Sequence, residues 1–261
     1  MNEITVSSWN DLQTELFEES WNEKLGRFRS RYAFRGLSDK SYKLESRLSR
    51  HGGDFRKLEN HLLRNFKKYA HRSVVEKDSI WHWLSVAQHY GLPTRLLDWT
   101  YSPFVAMHFA TANLDKFNMD GVIWAVNYVK THSILPGKLR AKLDHEGANV
   151  FTVEMLFESI KSLNELEDLS VEPFVIFFEP PSIDDRIVNQ FAFFSVLSDS
   201  GIILNSWLGD KQDMWRKIII PAGLKWEIRD KLDQANITER VLFPGLDGLS
   251  KWLARHYSPK N

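Results

Sequence analysis

Four short apolar runs that predict β-strands constrain the fold of this chain more than any other feature. Each run begins or ends at a glycine or a proline, and the four cover residues 31–36, 121–128, 173–179 and 215–221. A further apolar run covers residues 191–197. Segments with helical periodicity come mainly before these runs, and this order favours a mixed or antiparallel sheet over a doubly wound one. We therefore predict a single α+β domain over residues 1–261.

Apolar residues spaced three and four positions apart predict the helices. The first helix is predicted to begin at Ser8 and to continue through Leu25, and the strongest apolar stripe covers residues 54–72. Ser102 or Thr100 is expected to cap a buried helix that has a proline in its first turn. Further helices are predicted at residues 80–87, 153–166, 224–234 and 248–257.

The composition excludes several classes of function. Lys+Arg and Asp+Glu both number 34, and a formal charge of zero argues against binding nucleic acid through one basic face. The chain has no cysteine, which excludes thiolate nucleophiles and cysteine-based zinc sites and is typical of a cytoplasmic location. No apolar run approaches the roughly 20 residues of a membrane-spanning helix, and the histidine spacings match no metal site. We expect neither a membrane partner nor a metal.

Residues 88–100 contain the most closely spaced set of polar, charged and aromatic side chains in the chain. Gly91 and the proline two positions later predict a turn. Arg95 and Asp98 flank an apolar pair, and two interpretations stay open: they form a buried ion pair that locks the turn, or they serve a site. His89 follows a predicted helix, where it could cap the helix or face a site.

Two more segments carry candidate site residues. Arg35 is expected at the exit of the first predicted strand, where ligand-binding side chains are common. Arg186 and Gln190 lie four positions apart and share one face if their segment is helical, although a solvated turn is the alternative. Cations on either side of an aromatic residue at positions 27–31 are the only support for a nucleic-acid partner.

These segments resemble the FRG domain family. The similar segments are the Phe-Arg-Gly triplet that names the family, its long central signature, an R-I-x-x-Q element and a tail, at residues 34–36, 88–100, 186–190 and 242–248. The similarity extends over roughly residues 30–256. The chain departs from the family at Ala192, where the family usually has glycine.

The resemblance implies an ADP-ribosyltransferase-like fold, in which N-terminal helices accompany a split mixed β-sheet that binds NAD in a cleft. On such a fold Arg35 would hold the ribose or phosphates of NAD. Residues 100–102 or Tyr90 would shape the nicotinamide pocket, and Gln190 would stand where related folds use an acidic residue. Asp98 is then the candidate for the missing negative charge.

The resemblance also implies a function. Arg35, Asp98 and Gln190 would be catalytic, and further contacts to NAD would come from Gln88, His89, Tyr90, Arg95, Trp99, Thr100, Ser102 and Arg186. NAD would be a substrate whose ADP-ribose passes to an unknown macromolecular target or to water, as in a bacterial toxin or an anti-phage effector. The alternatives are a non-catalytic module that binds a nucleotide or a partner, and an enzyme directed at nucleic acid.

Overall fold

The computed structural model describes residues 2–51, 55–70 and 79–259. The strands are β1 (Glu3–Thr5), β2 (Trp21–Asn22), β3 (Arg27–Phe28), β4 (Tyr32–Leu37), β5 (Leu97–Thr100), β6 (Gly121–Asn127), β7 (Phe151–Thr152), β8 (Val175–Glu179), β9 (Ala192–Leu197) and β10 (Trp215–Ile220). The first helices are α1 (Trp9–Phe17), α2 (Arg47–His51), α3 (Phe55–Ala70), α4 (Ile80–His89), α5 (Pro103–Thr111), α6 (Tyr128–Ser133) and α7 (Gly137–Glu146). The later helices are α8 (Val153–Ser159), α9 (Leu163–Asp168), α10 (Asp185–Asn189), α11 (Leu204–Leu208), α12 (Lys225–Gln234), α13 (Glu239–Leu242) and α14 (Leu246–His256).

Eight strands form one mixed sheet in the order β1-β10-β6-β4-β5-β9-β8-β7, and β2 pairs with β3 in a separate hairpin. Neighbouring strands in the large sheet are antiparallel except for the outer pairs, β1 with β10 and β7 with β8, which are parallel. The predicted α+β class with a mixed sheet is confirmed. In the described part of the chain, no helix is both long enough and apolar enough to cross a bilayer.

The large sheet is almost divided between β4 and β5. β4 pairs with β6 at six positions and β5 pairs with β9 at four. β4 and β5, in contrast, share the single pair Phe34 and Thr100. The sheet therefore consists of two half-sheets joined at one residue pair, and a gap lies between Arg35 on one strand and Asp98 on the other.

Three apolar clusters stabilise the two half-sheets. Phe34 and its neighbours on the first half-sheet pack against α1, α5 and α12. Ile176 and other residues of the second half-sheet pack against α3, α4 and α7 to α9. A third cluster is common to both halves, since it contains Trp124 of β6 together with Phe177 of β8. Arg35 and Asp98, which project from β4 and β5 next to their junction, belong to none of these clusters.

The N-terminal helix is shorter than the sequence predicted. Ser8 caps it as expected, because the Ser8 hydroxyl accepts a hydrogen bond from the Asp11 amide at 3.2 Å. The helix nevertheless ends at Phe17, and Leu25 lies beyond it with its side chain exposed. The chain leaves the helical conformation at the C-cap Glu18, which has a ψ of 145°, and Glu19 then adopts a φ of 54° that an α-helix cannot accommodate.

The middle of the chain also differs from the prediction. Residues 153–166 form two helices, α8 and α9, because Ile160 is extended and Ser162 caps a new helix. Strand β7 and helices α6 and α7, near these two helices, were not predicted. The apolar stripe predicted at residues 54–72 corresponds to α3, and both predicted ends lie outside the described residues.

Candidate functional site

A cleft of about 990 Å³ opens where β4 and β5 separate. Its walls are β4, β5, the end of α4, α2, α10 and the segment that leads into α14. This volume is at the upper end of the range that sites for small molecules and cofactors occupy. Strand and helix ends from distant parts of the sequence therefore converge on one space.

Arg35 and Asp98 face each other across the gap between the half-sheets. Nη1 of Arg35 donates a hydrogen bond to the Asp98 carbonyl oxygen at 2.5 Å and lies 3.7 Å from the Asp98 carboxylate. The Arg35 side chain is 18% exposed and that of Asp98 is 58% exposed, so the cation lies within the wall while the carboxylate reaches the solvent of the cleft. Burial lowers the pKa of Arg35 and Asp98 opposes that shift.

Gln88 fixes the Asp98 carboxylate. Its Nε2 donates to both carboxylate oxygens at 3.0 Å, and its own Oε1 accepts a hydrogen bond from the Thr94 hydroxyl at 2.6 Å. Because Thr94 and Gln88 are both buried, this chain of hydrogen bonds has little freedom to reorient. A preoriented carboxylate beside a guanidinium can stabilise a positive charge that develops on a bound molecule.

The turn after α4 has the geometry that the sequence predicted. Gly91 has a φ of 83° and its N–H donates to the Gln88 carbonyl, while the next residue, Leu92, donates to the Ala87 carbonyl. These two bonds form a Schellman ending, which requires a left-handed residue at the glycine position. The turn places His89 and Tyr90 at the cleft.

Arg95 does not pair with Asp98, and the predicted ion pair between them is wrong. Nε of Arg95 donates to Glu59 at 2.6 Å and Nη1 donates to Glu167 at 3.0 Å. The Arg95 side chain is buried against α3 and α9 and does not line the cleft. It lies before β5, where its side chain points away from Asp98. The prediction that Arg95 contacts NAD therefore has no geometric support.

Residues 100–102 mainly hold the fold together. The Thr100 hydroxyl donates to the Gln190 carbonyl at 2.7 Å, and Ser102 caps α5 through the Val105 amide. The Tyr101 ring stacks on Phe193 in the shared cluster. Ser102 is outside the cleft, contrary to its predicted role as a ligand contact, whereas Thr100 borders it.

Tyr90 and Trp99 differ in how their rings are placed. Tyr90 is 62% exposed at the edge of the cleft. Trp99 borders the cleft, but its Nε1 donates to Ser195 at 2.8 Å and its ring packs edge-on against Phe177. Of the two aromatic residues predicted to contact a ligand, Tyr90 is the one with an accessible ring.

A contact between His89 and Asp184 joins α4 to α10 across the cleft. His89 Nε2 lies 2.7 Å from one Asp184 carboxylate oxygen. The other carboxylate oxygen accepts the backbone N–H groups of Arg186 and Ile187, so Asp184 also caps α10. His89 is thus the last residue of α4 and a wall residue of the cleft, whereas the C-cap of the helix is Tyr90.

Arg186 and Gln190 lie on the short helix α10 and its C-cap. The Arg186 guanidinium stacks 5.0 Å from the centre of the Phe243 ring, and its buried Nε has no hydrogen-bond partner among the described residues. Gln190 donates from Nε2 to the Leu242 carbonyl at 2.8 Å. Both residues line the cleft as predicted, but the Gln190 amide is occupied in tying α10 to α13.

The structure adds cleft residues that the sequence did not indicate. Arg47 and Arg50 lie on α2, and Asp247 and Lys251 lie on α14. Asp247 falls within the family-like tail, which could have suggested it. α2 has only five residues, too few for a periodic pattern, so no signal identified its two arginines.

Gly36 brings helix α5 directly onto β4. A Cβ atom at this position would overlap the Ala106 carbonyl oxygen and lie 2.7 Å from the Ala110 amide nitrogen. Only glycine allows this approach without displacement of the backbone. The contact fixes the strand from which Arg35 projects.

Residues 30–119 match the model of the FRG domain family. The matched segment contains β4, α2, α4, β5 and α5, and therefore includes Arg35, Gln88 and Asp98. It ends before α10 and the tail that precedes α14, so the similarity predicted for those parts stays a prediction. No curated protein and no solved structure matches the chain. The resemblance to the FRG domain is supported for the matched segment, while the ADP-ribosyltransferase-like fold stays a prediction.

Proposed function

We propose that the chain binds NAD in this cleft and breaks the bond between nicotinamide and ribose. ADP-ribose then passes to a macromolecular acceptor or to water. The observation that carries the proposal is the pairing of the Arg35 guanidinium with the accessible Asp98 carboxylate at the junction of the half-sheets. The match of residues 30–119 to the FRG domain supports it only by analogy.

Cleavage of NAD requires a negative group close to the ribose and a positive group close to the phosphates. When nicotinamide leaves with the bonding electron pair, a cation with oxocarbenium character develops on the ribose, and a nucleophile then bonds to the same carbon. Asp98 would stabilise that cation, and Gln88 would hold the carboxylate in place. Arg35 would bind a phosphate oxygen through charge-assisted hydrogen bonds. Gln190 carries no charge and cannot take the role of an acidic residue.

Release of nicotinamide from NAD by the purified chain tests the proposal, with and without cell extract to supply an acceptor. We expect Arg35→Ala and Asp98→Asn each to lower turnover by about 10²-fold or more, the loss typical of removing one electrostatic group from an active site. Arg140→Ala is the matched control, because Arg140 is exposed on α7 and does not line the cleft. Absence of turnover by the unmodified chain under both conditions would refute catalysis.

A nucleotide-binding module without catalysis is the second candidate. It is favoured by Gln190, whose amide donates to the Leu242 carbonyl at the position where related folds use an acidic residue. Calorimetric titration with NAD and ADP-ribose separates the candidates, because the module predicts binding without release of nicotinamide. The macromolecular target and a role as a toxin or anti-phage effector stay predictions.

A further inference from the structure

The charges that line the cleft are unevenly distributed. Carboxylates come from Asp98 on β5, from Asp184 and Asp185 at the start of α10, and from Asp247 on α14. The cations Arg186 of α10 and Lys251 of α14 therefore have acidic residues close to them in the same helix or at its start. Helix α2 contributes only cations to the cleft, so the wall that it forms has excess positive charge.

Arg47 and Arg50 project from one face of α2. They are three positions apart, the spacing at which helical side chains are neighbours. Between them, Leu48 anchors the helix, because its side chain is buried and its N–H donates to the Thr94 carbonyl at 3.2 Å. The helix is thus tied to the same turn that positions Gln88.

The position of Arg47 depends on the turn after α4. Its Nη1 donates to the Gly91 carbonyl at 3.0 Å, and a Cβ atom on Gly91 would lie 3.2 Å from this nitrogen. The remaining N–H groups of the guanidinium are not used by any hydrogen bond to the described residues. Gly91 therefore allows close approach of a cation that retains donors for a ligand.

Arg50 adds a second positive charge next to Arg35. The charge of Arg50 contributes, after burial, to lowering the pKa of Arg35, whereas no carboxylate in the described part of the chain forms an ion pair with Arg50. Like charges held on one wall repel each other unless an anion lies between them. The guanidinium groups of Arg35, Arg47 and Arg50 line one cleft, and Asp98 lies 3.7 Å from the first of them.

We infer that Arg47 and Arg50 of α2, together with Arg35, form a subsite for the diphosphate of a nucleoside diphosphate. Guanidinium groups suit this ligand because their planar donors bind phosphate oxygens in pairs. The exposed ring of Tyr90, next to Gly91, lies at the edge where the base can stack. This inference rests on the proposed nucleotide site and assigns the ADP half of the dinucleotide to the α2 wall, with the bond to be broken nearer Asp98.

Calorimetric titrations of the full chain with ADP, inorganic pyrophosphate and adenosine test the subsite. We expect ADP and pyrophosphate to bind more tightly than adenosine, with affinities that fall as salt is added. Arg50→Ala should weaken binding of ADP and pyrophosphate by roughly 10- to 100-fold, the effect of losing hydrogen bonds to a charged group. Binding of adenosine should not change, and Arg140→Ala should behave as the unmodified chain. Thermal unfolding of each variant confirms that it is folded.

Two results would overturn the subsite: ADP binding no tighter than adenosine binding, or an unchanged ADP affinity in Arg50→Ala. Nicotinamide release measured on the same samples keeps this inference separate from the proposed function. If ADP binds and depends on Arg50 but NAD is not cleaved, the subsite stands and catalysis fails. If NAD is cleaved while the ADP affinity is insensitive to Arg50, the subsite fails and the proposed function stands.

Discussion

Replacement of Arg95 by methionine should destabilise the fold much more than replacement of Asp98 by asparagine. The Glu59 side chain is 1% exposed and accepts hydrogen bonds from both the backbone N–H and Nε of Arg95. Methionine fills similar space but removes the cation that Glu59 shares with Glu167. A buried carboxylate that loses its charged partner is the costly outcome.

The expected magnitudes differ by several-fold. Breaking a buried ion pair from one side costs about 3–5 kcal/mol. At about 2 °C per kcal/mol for a chain of this size, Arg95→Met should lower Tm by about 6–10 °C. The Asp98 side chain is 58% exposed and an asparagine keeps one acceptor for Gln88, so Asp98→Asn should cost less than about 1 kcal/mol, or about 2 °C.

Thermal unfolding followed by circular dichroism measures both variants, and nicotinamide release measures their activity. The double variant Glu59→Gln with Arg95→Met is the control, since removal of both charges should restore part of the lost stability. The reasoning would be refuted if Asp98→Asn lowered Tm more than Arg95→Met did. That result would mean that Asp98 has a structural role and that the accessible carboxylate does not serve the cleft.

Three further predictions concern the walls of the cleft and the helices behind it. Gly36→Ala should lower the unfolding free energy by about 1–3 kcal/mol in chemical denaturation, because the new methyl group overlaps the Ala106 carbonyl. Gln190→Glu should cost about 1–3 kcal/mol without raising NAD turnover, because a carboxylate cannot donate to the carbonyl that the amide now binds. Burial is the largest single effect and would raise the pKa of Glu239, but hydrogen bonds from Arg255 and the charges of Arg229 and Arg255 together outweigh it, and the pKa falls to about 2. Its stabilising contribution is complete above the ordinary pKa of 4.5 and is lost as the pH falls from 4.5 towards 2, so Glu239→Gln should flatten the dependence of Tm on pH in that window.

Each of these predictions has an outcome that contradicts it. A Gly36→Ala protein of unchanged stability would mean that α5 can move away from β4 at little cost. Faster NAD cleavage by Gln190→Glu would return this position to the catalytic role that the resemblance implied. An unaltered acid dependence in Glu239→Gln would place the acid-sensitive groups elsewhere.

The strands were predictable because their signals are local. The apolar run that forms β6 is buried along its whole length. Such a run predicts a strand even when the neighbouring strands are unknown. The division of the sheet was not predictable in the same way. It depends on β4 and β5 meeting only at Phe34 and Thr100, a pairing between residues 66 positions apart that the composition of either strand does not reveal.

The site residues were predictable only where they belong to short sequence motifs rich in polar and charged residues. Arg35 and Asp98 were expected to meet in one cleft from segments far apart in the chain, and the structure brings them together. Arg95 was misassigned because proximity in sequence does not reveal which way a side chain faces, and its true partners lie on helices distant along the chain. Arg50 was missed because a five-residue helix has no periodicity to display.

In the triplet of residues 34–36, the two outer residues stabilise the fold and the middle residue lines the cleft. Phe34 is fully buried and Gly36 excludes any side chain, so their substitution tolerances should be set by volume alone. Arg35, between them, donates one hydrogen bond to the opposing strand, lies 3.7 Å from the Asp98 carboxylate and lines the cleft. Relatives that keep phenylalanine and glycine at the outer positions but have another residue in the middle would therefore keep this architecture and bind a different ligand.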